Sequence, residues 1–290
     1  MKNMFEQYGK CIGKIEFGPS KKEKQVAVVS IINYNGVILI ATAAHCIYDT
    51  YKKKYNDNVK VSFGIDKFAS KYEVDRVFLH KSWVEDGKLQ YDTAFLLLKN
   101  FDSKKYIDYA VTPQFNMGVE LDYAIIGFPI RFLSPTKLPV IYYGKGILHK
   151  KYPNVIQGIS CKAKNGMSGG PWLTVSNNRV VQNSVSSFSF KKDNKILWGP
   201  YWGSEIESVL HVASGIHNEL PTVVEKKYFL LSFIFCIIIS AIVCIFAAPL
   251  MTIFVSAKET AVITCGVQYL RVEGSFLLRN RMPFPAKLYT

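Results

Sequence analysis

Short β-branched runs, each soon ended by turn residues, constrain the fold of this chain more than any other feature. Residues 26–32 and 37–41 are two such runs, and the stretch NYNG between them predicts a hairpin. Residues 59–63 alternate apolar and polar side chains with the period of a half-buried strand. No long amphipathic helical pattern occurs before residue 200. The pattern therefore predicts an all-β barrel or sandwich.

The same signals continue through the second half of the protein. Residues 204–213 instead carry apolar side chains at helical spacing, and we expect a short helix there that closes the domain. Residues 80–90 lack both patterns, so we expect a loop. Further strands are predicted at residues 72–79, 94–98, 122–128, 140–143, 146–149, 155–160, 172–175 and 180–190.

Three short motifs supply the components of nucleophilic catalysis. In GMSGGP (166–171) a tight turn would expose the hydroxyl of Ser168 and aim backbone N–H groups at one point. A serine hydroxyl needs a base, and His45 in ATAAHC has the side chain whose ordinary pKa lies closest to neutral pH. The imidazole needs a carboxylate to orient it, and Asp92 stands at the head of DTAFLLL.

The order of these motifs resembles the chymotrypsin/trypsin-like serine proteases over residues 10–215. The resemblance implies a protease domain at 1–220 with two six-stranded antiparallel β-barrels, at 10–105 and 118–215, joined by a linker near 100–120. It also implies that His45 acts as general base and then acid, that Asp92 orients it, and that Ser168 attacks. The backbone N–H groups of Gly166 and Ser168 would form the oxyanion hole.

Each site residue also has a purely structural alternative. Ser168 could sit in a structural turn, His45 could be a buried core histidine, and an aspartate often precedes an apolar strand. Asp75 and Asp86 compete with Asp92, but neither begins a comparable motif. Structural or solvated roles are expected for the histidines that lack a partner motif, which are His80, His149, His211 and His217.

Two positions depart from the pattern of the family. Met167 stands where zymogen-activated relatives carry an aspartate that pairs with a new N-terminal ammonium, so we expect no activation by that route. Lys162 stands where relatives with basic specificity carry an aspartate, so we expect rejection of Arg and Lys and a preference for Asp or Glu. The same alignment makes Ser186 and Phe188 walls of the specificity pocket.

The cysteines and the amino terminus indicate a reducing compartment. Cys11, Cys46 and Cys161 are too sparse for a disulfide framework and predict reduced thiols. Residues 1–14 lack the apolar segment of a signal peptide.

Residues 228–257 carry no charge and are long enough to cross a bilayer as a helix, which needs ~20 residues. Lys226 and Lys227 precede this segment, so positive-inside reasoning predicts a single-pass protein with a cytoplasmic protease domain. Residues 228–277 resemble a fragment of the multidrug-and-toxin-extrusion transporters, and 258–290 form a short tail. A gene fusion or frameshift would explain such a tail.

The net charge of +14 comes largely from short lysine runs, which we interpret as solvated loops or a membrane-facing surface rather than a nucleic-acid site. We therefore expect a membrane-tethered serine endopeptidase that binds protein or peptide substrates and the lipid bilayer, with no nucleic acid, metal or cofactor. The alternative is a non-catalytic binding module with a protease fold, although such pseudoenzymes normally lose a triad residue.

Overall fold

The computed structural model describes residues 7–228, apart from 20–22, 65–68, 132–133, 137, 162–164 and 191–192, together with Ile242, Ile245 and Phe246. The chain divides into two units, Met1–Tyr228 and Phe229–Thr290. The predicted membrane segment 228–257 lies almost wholly outside the described residues, and Lys162, the tail 258–290 and the transporter-like stretch beyond 257 lie entirely outside them. None of the described helices has the length and apolarity needed to span a membrane.

Antiparallel strands dominate the described residues, as the sequence predicts. The first eight are β1 (Ile12–Phe17), β2 (Gln25–Tyr34), β3 (Val37–Thr42), β4 (Tyr48–Asp49), β5 (Lys54–Tyr55), β6 (Lys60–Phe63), β7 (Ser70–His80) and β8 (Ala94–Leu98). The others are β9 (Thr112–Pro113), β10 (Asp122–Gly127), β11 (Ile130–Arg131), β12 (Ser134–Pro135), β13 (Val140–Leu148), β14 (Ile156–Ser160), β15 (Pro171–Ser176), β16 (Arg179–Val185), β17 (Phe188–Phe190), β18 (Asp193–Pro200) and β19 (Val223–Lys227).

The first sheet closes into a barrel of six strands. Its order is β19-β7-β6-β1-β2-β3-β8, and the pairing of β7 with β8 completes the ring, with β19 added outside it. The predicted hairpin is confirmed, because Asn35 and Gly36 at its tip have φ angles of 51° and 84°, which suit a tight turn between twisted strands. This barrel is the predicted amino-terminal one.

The second sheet has the order β17-β18-β14-β13-β10-β15-β16-β9. No ladder joins its two ends in the described part of the chain, so a closed six-stranded second barrel stays a prediction. The two predicted strands at 140–143 and 146–149 are one continuous strand, β13, because Gly144 and Lys145 between them pair with Tyr123 and Asp122 of β10. The predicted strand 180–190 is instead broken at Ser186 and Ser187 into β16 and β17.

Two regions differ from the sequence prediction. Residues 80–90, expected to be a loop, contain α1 (Lys81–Asp86), which begins after the His80 cap and ends at Gly87 with φ 63°. The strand β19 follows the predicted helix α2 (Ser204–Ala213) and pairs with β7, a contact that no local pattern indicated. One-turn 3-10 helices lie at Gln7–Cys11, Ala44–Cys46, Leu89–Tyr91, Ser103–Lys105 and Ile107–Tyr109.

The apolar positions of these elements form two buried clusters. The larger one fills the first barrel and extends to the apolar face of α2, where Ile206 and Leu210 are 1% and 0% exposed. The smaller one lies in the second sheet and includes Tyr123, Trp172 and Met167. The three described cysteines, Cys11, Cys46 and Cys161, are buried, and none of them forms a disulfide bond. Both halves of the candidate site therefore lie against closely packed, buried apolar clusters.

Candidate active site

His45 and Asp92 lie together where two neighbouring strands of the first barrel begin and end. His45 is in the turn Ala44–Cys46 that follows β3, and Asp92 precedes β8, which pairs with β3. The Asp92 carboxylate accepts two hydrogen bonds from the same residue. Its Oδ1 is 2.8 Å from the backbone N–H of His45, and its Oδ2 is 2.7 Å from the ring Nδ1.

Burial and hydrogen bonds hold the Asp92 side chain in place. Asp92 is only 1% exposed, whereas about a third of the His45 side chain (33%) remains open to solvent. The hydroxyl of Ser187 donates a third hydrogen bond, to Oδ2 of Asp92. The next residue, Thr93, accepts a hydrogen bond at 3.0 Å from the indole N–H of Trp202. A carboxylate with this many donors can stay ionised although it is buried.

Asp92 and His45 each stabilise the charged form of the other. Burial raises the pKa of Asp92, but the charge of His45 and the hydrogen bonds from His45 and Ser187 outweigh burial and lower it. Burial lowers the pKa of His45, but the charge of Asp92 and its hydrogen bond outweigh burial and hold that pKa well above its usual value. An ionised Asp92 therefore fixes the ring with its proton on Nδ1 and leaves Nε2 as the basic nitrogen.

The Ser168 turn comes from the second sheet and is fastened to the first barrel. The carbonyl of Ser168 accepts a hydrogen bond from the backbone N–H of Val28 in β2 at 2.7 Å. Gly169 packs against Thr42 and Ala43, which immediately precede the His45 turn. Ser168 itself is partly exposed. The backbone of the Ser168 turn thus lies against β2 and against the residues that lead into the His45 turn, at the junction between the two sheets.

Some backbone N–H groups of the turn donate hydrogen bonds to carbonyl groups of the protein. Gly169 N–H donates to the carbonyl of Ser186 at 2.7 Å, and Gly170 N–H donates to that of Met167 at 3.0 Å. Within the described residues, the N–H groups of Gly166 and Ser168 donate to no carbonyl. Gly166 has a φ of +85°, and a Cβ there would lie 2.5 Å from the carbonyl oxygen of Phe128. Glycine is therefore required at this position.

Replacing Gly169 by alanine should destabilise the protein by about 3 kcal/mol. The residue has a φ of +77°, and its new Cβ would lie 2.2 Å from the Val28 carbonyl oxygen and 2.3 Å from Oγ1 of Thr42. Thermal unfolding measures the loss. Gly36→Ala is the matched control, because Gly36 has a similar φ of +84° with no atom within 4 Å of the added Cβ. Equal losses in the two variants would contradict the close packing of the turn.

Ser187 is a site residue that sequence reasoning missed. It belongs to no motif, and its only local signal is a Ser-Ser pair between two apolar strands. The Ser187→Ala variant should lose about tenfold in kcat, because a hydrogen bond to a charged group contributes about 1.5–3 kcal/mol. Ser184→Ala is the control, since Ser184 is also buried but donates to the Pro200 carbonyl instead. Similar kcat values in both variants would exclude a positioning role for Ser187.

The structure describes two of the three residues that are predicted to line the specificity pocket. Ser186 is fully buried, and its hydroxyl accepts a hydrogen bond from the indole of Trp172 at 3.1 Å. Phe188 is partly buried at the start of β17 and packs edge-on against Phe190. Lys162 lies outside the described residues. Of the two that the structure describes, Phe188 is the one that is partly open to solvent.

Other residues considered from sequence lie apart from the pair. The ring Nδ1 of His80 accepts a hydrogen bond from Ser82 N–H at 3.1 Å, and its Nε2 lies 3.2 Å from the Glu205 carboxylate. Burial lowers the pKa of His80 although the Glu205 carboxylate opposes it, which favours the neutral ring. Met167 is 1% exposed in the smaller apolar cluster. No group of three or more metal-ligating side chains occurs in the part of the chain that the structure describes.

Comparison with known proteins extends this picture. Residues 8–197 match the protein family described as Trypsin. The fold is similar to that of the thermostable serine protease AL20 from an extremophilic microorganism, with a TM-score of 0.63, 22% identity, and coverage of 73% of this chain and 100% of the other. No curated protein sequence matches the chain.

Two further solved structures share the architecture. The protease Anisep from Arthrobacter nicotinovorans has a TM-score of 0.61 and 26% identity, with coverage of 71% of this chain and 96% of the other. A Glu endopeptidase solved in complex with MPD has a TM-score of 0.58 and 17% identity, with coverage of 71% and 91%. These similarities establish an all-β, chymotrypsin-like fold.

Proposed function

The chain belongs to the trypsin family of serine proteases, and on that premise we propose that it is a serine endopeptidase with the triad His45, Asp92 and Ser168. One observation carries the proposal. Asp92 is buried and directs both carboxylate oxygens at the backbone and ring of His45, an arrangement that serves to orient and charge an imidazole. A merely structural histidine would not need it.

The reaction follows from the tautomer that Asp92 imposes. Nε2 of His45 accepts the Ser168 proton as Oγ attacks the scissile carbonyl, and a C–O bond forms while the carbonyl π electrons move to oxygen. The N–H groups of Gly166 and Ser168 stabilise that oxyanion. His45 then returns the proton to the leaving amine as the C–N bond breaks. Water, deprotonated by the same Nε2, hydrolyses the acyl-enzyme.

A polypeptide substrate suits the edge of the second sheet. β17 is an edge strand, and it begins one residue after Ser187, which contacts Asp92. An extended peptide can add to such an edge through backbone hydrogen bonds, which places its carbonyl groups beside the site. This geometry favours an endopeptidase over a hydrolase of small esters.

Lys162 underlies the proposed preference for Asp or Glu before the scissile bond. By family alignment it would lie at the base of the specificity pocket, where its charge attracts a carboxylate and repels Arg and Lys. A positional-scanning peptide library checks the preference, and dominant cleavage after Arg or Lys would overturn it.

Activation without proteolysis is a separate part of the proposal. The position that receives an amino-terminal ammonium in zymogen-activated relatives is Met167, which packs with Trp172 and Tyr123. A thioether in an apolar cluster offers no counter-charge. A tag fused before Met1 should therefore leave the rate of peptide hydrolysis unchanged, and a rate that recovers only after the tag is removed would contradict this expectation.

The membrane segment and topology complete the proposal. Residues 228–257 would span the bilayer once and leave the protease domain on the cytoplasmic side, as the lysines before the segment suggest. The transporter-like stretch 228–277 would then be a fused or frameshifted remnant that serves as an anchor. Protection of residues 1–227 from added protease in intact cells tests the orientation.

Labelling with a fluorophosphonate tests the catalytic proposal directly. Such a probe phosphonylates a serine that an adjacent base activates, and peptide mass mapping should locate the adduct on Ser168. His45→Ala should abolish the adduct, whereas His149→Ala, which changes a partly buried histidine just after β13, should not. An unlabelled wild-type protein, or an adduct elsewhere, would favour the non-catalytic binding module.

A further inference from the structure

A basic and aromatic surface surrounds the turn between β4 and β5. Tyr51 at its tip is 98% exposed, and Lys52, Lys53 and Lys54 follow it in sequence. β19 contributes Lys226, whose side chain lies on the side of this turn. We call these five residues the basic hairpin surface.

The two parts of this surface are in contact. Lys226 Nζ lies 3.9 Å from the ring centroid of Tyr55 in β5 and 4.8 Å from that of Tyr228. Tyr55 packs edge-on against Tyr48 of β4, with ring centroids 5.0 Å apart. The hairpin and the end of β19 therefore form one face of the barrel.

The face carries more cations than anions. Lys52 pairs with Asp49 at 3.6 Å, Lys54 pairs with Asp57 at 3.4 Å, and Lys227 lies 3.8 Å from Glu225. Among the described residues, Lys53 and Lys226 make no ion pair, although the charge of Asp57 acts on Lys226. The charged groups on or beside the face are Lys52, Lys53, Lys54, Arg76, Lys226 and Lys227, against Asp49, Asp57, Asp75 and Glu225.

The chain itself indicates what this face contacts. The uncharged run 228–257 begins directly after Lys227, with no spacer to separate β19 from the start of that run. Tyrosine and lysine are the residues that favour the headgroup layer of a bilayer, where the ring is half immersed and the amine meets lipid phosphate. Each lysine near an anionic membrane adds to the attraction between protein and lipid.

We propose that the basic hairpin surface docks on the anionic face of the bilayer that residues 228–257 enter. The proposal rests on the membrane attachment proposed above. It has a consequence for the substrate, because Asn56, directly after β5, donates to the carbonyl of His45 at 3.1 Å. A docked hairpin holds the catalytic histidine close to the membrane, and the substrates are then protein segments near the membrane surface.

Fluorescence quenching by brominated lipid tests the docking. All four natural tryptophans are buried, since Trp83, Trp172, Trp198 and Trp202 are 5% exposed or less. A Tyr51→Trp variant of the full chain, reconstituted in vesicles that contain brominated phosphatidylcholine, adds a single exposed indole. We expect quenching of this indole to increase about twofold when phosphatidylserine is included, and to fall at high salt.

Matched variants separate docking from general attraction. Tyr152→Trp places an indole beside Lys150 and Lys151 on the second sheet and should show no such increase. Lys52→Glu with Lys53→Glu should remove the increase at position 51, whereas Lys150→Glu with Lys151→Glu should not. Equal quenching at both positions, or quenching at position 51 that does not depend on phosphatidylserine or on Lys52 and Lys53, would overturn the proposal.

Vesicle flotation distinguishes failure of docking from failure of the anchor. If the chain floats with neutral vesicles but position 51 is not quenched in anionic ones, the membrane segment stands and the docking is wrong. If the chain does not float with either kind of vesicle, the anchor and the docking both fail. Fluorophosphonate labelling is independent of both results.

Discussion

Ser168→Ala is expected to lower kcat for peptide hydrolysis by about a millionfold and to abolish fluorophosphonate labelling. The loss is large because the covalent route disappears and the remaining groups cannot substitute for the nucleophile. The residual activity, about 10³-fold above water, would come from substrate binding and the oxyanion donors. Steady-state hydrolysis of a quenched fluorescent peptide measures kcat and KM separately.

Ser168→Ala should fold as the wild-type protein does. The side chain is partly exposed, and the hydrogen bond to Val28 uses the Ser168 carbonyl, which alanine retains. The melting temperature should therefore stay within a few degrees of that of the wild type. Ser208→Ala, a change of a partly exposed serine in α2, serves as the matched serine control and should retain full activity. A Ser168→Ala protein that keeps even a hundredth of the wild-type kcat would refute the assignment.

Asp92→Asn is expected to lower kcat by about 10⁴-fold while the fold is retained. The backbone N–H of His45 requires an acceptor at the Oδ1 position, so the amide carbonyl will occupy that place. The NH₂ group then faces the ring Nδ1 and the Ser187 hydroxyl, where the carboxylate accepted both hydrogen bonds. Nδ1 must accept instead of donate, the proton moves to Nε2, and the ring can no longer take the proton of Ser168.

The pH profile gives an independent readout of the same change. In the wild type the Asp92 charge holds the pKa of His45 well above its usual value, so kcat/KM should rise with pH only as that proton is lost. The variant lacks the charge, and burial alone lowers the pKa of the ring. The rise of kcat/KM should therefore occur at lower pH in the variant, although its maximal kcat/KM is much lower than that of the wild type.

Asp86→Asn is the control for this prediction. Asp86 competes with Asp92 on sequence grounds, but it lies on exposed α1 beside Lys88, at 3.0 Å. Its conversion to Asn should change neither kcat nor the pH profile. A pH limb that stays in place in Asp92→Asn, or that moves equally in Asp86→Asn, would show that Asp92 does not act on His45.

The features that the sequence predicted well depend on short-range interactions. The hairpin at Asn35 and Gly36 follows from the φ angles that its two tip residues accept, and β8 coincides with the apolar run after Asp92. The helix α2 follows from a periodic apolar face. The order of the three motifs led to the family, and the family implied a barrel that the first sheet confirms.

Other features depend on partners that are distant in the chain. Gly144 and Gly146 divide an apolar run in sequence but lie within β13, because the pairing of that strand with β10 and β14 outweighs the weak strand propensity of glycine. Val223–Lys227 has no clear strand pattern, yet it pairs along β7 from His80 to Arg76. Ser187 contacts Asp92 across 95 residues.

The sequence by itself determined the chemistry that we propose for this protein, because the types and order of His45, Asp92 and Ser168 match one reaction. It also determined where most strands form, since turn residues and alternation act locally. Only the tertiary structure decided that Ser187 completes the support of Asp92, that Gly169 fastens the Ser168 turn against Thr42, and that β19 brings Lys226 to Tyr55. These contacts join residues far apart in the chain, so their energies arise only when the sheets pack.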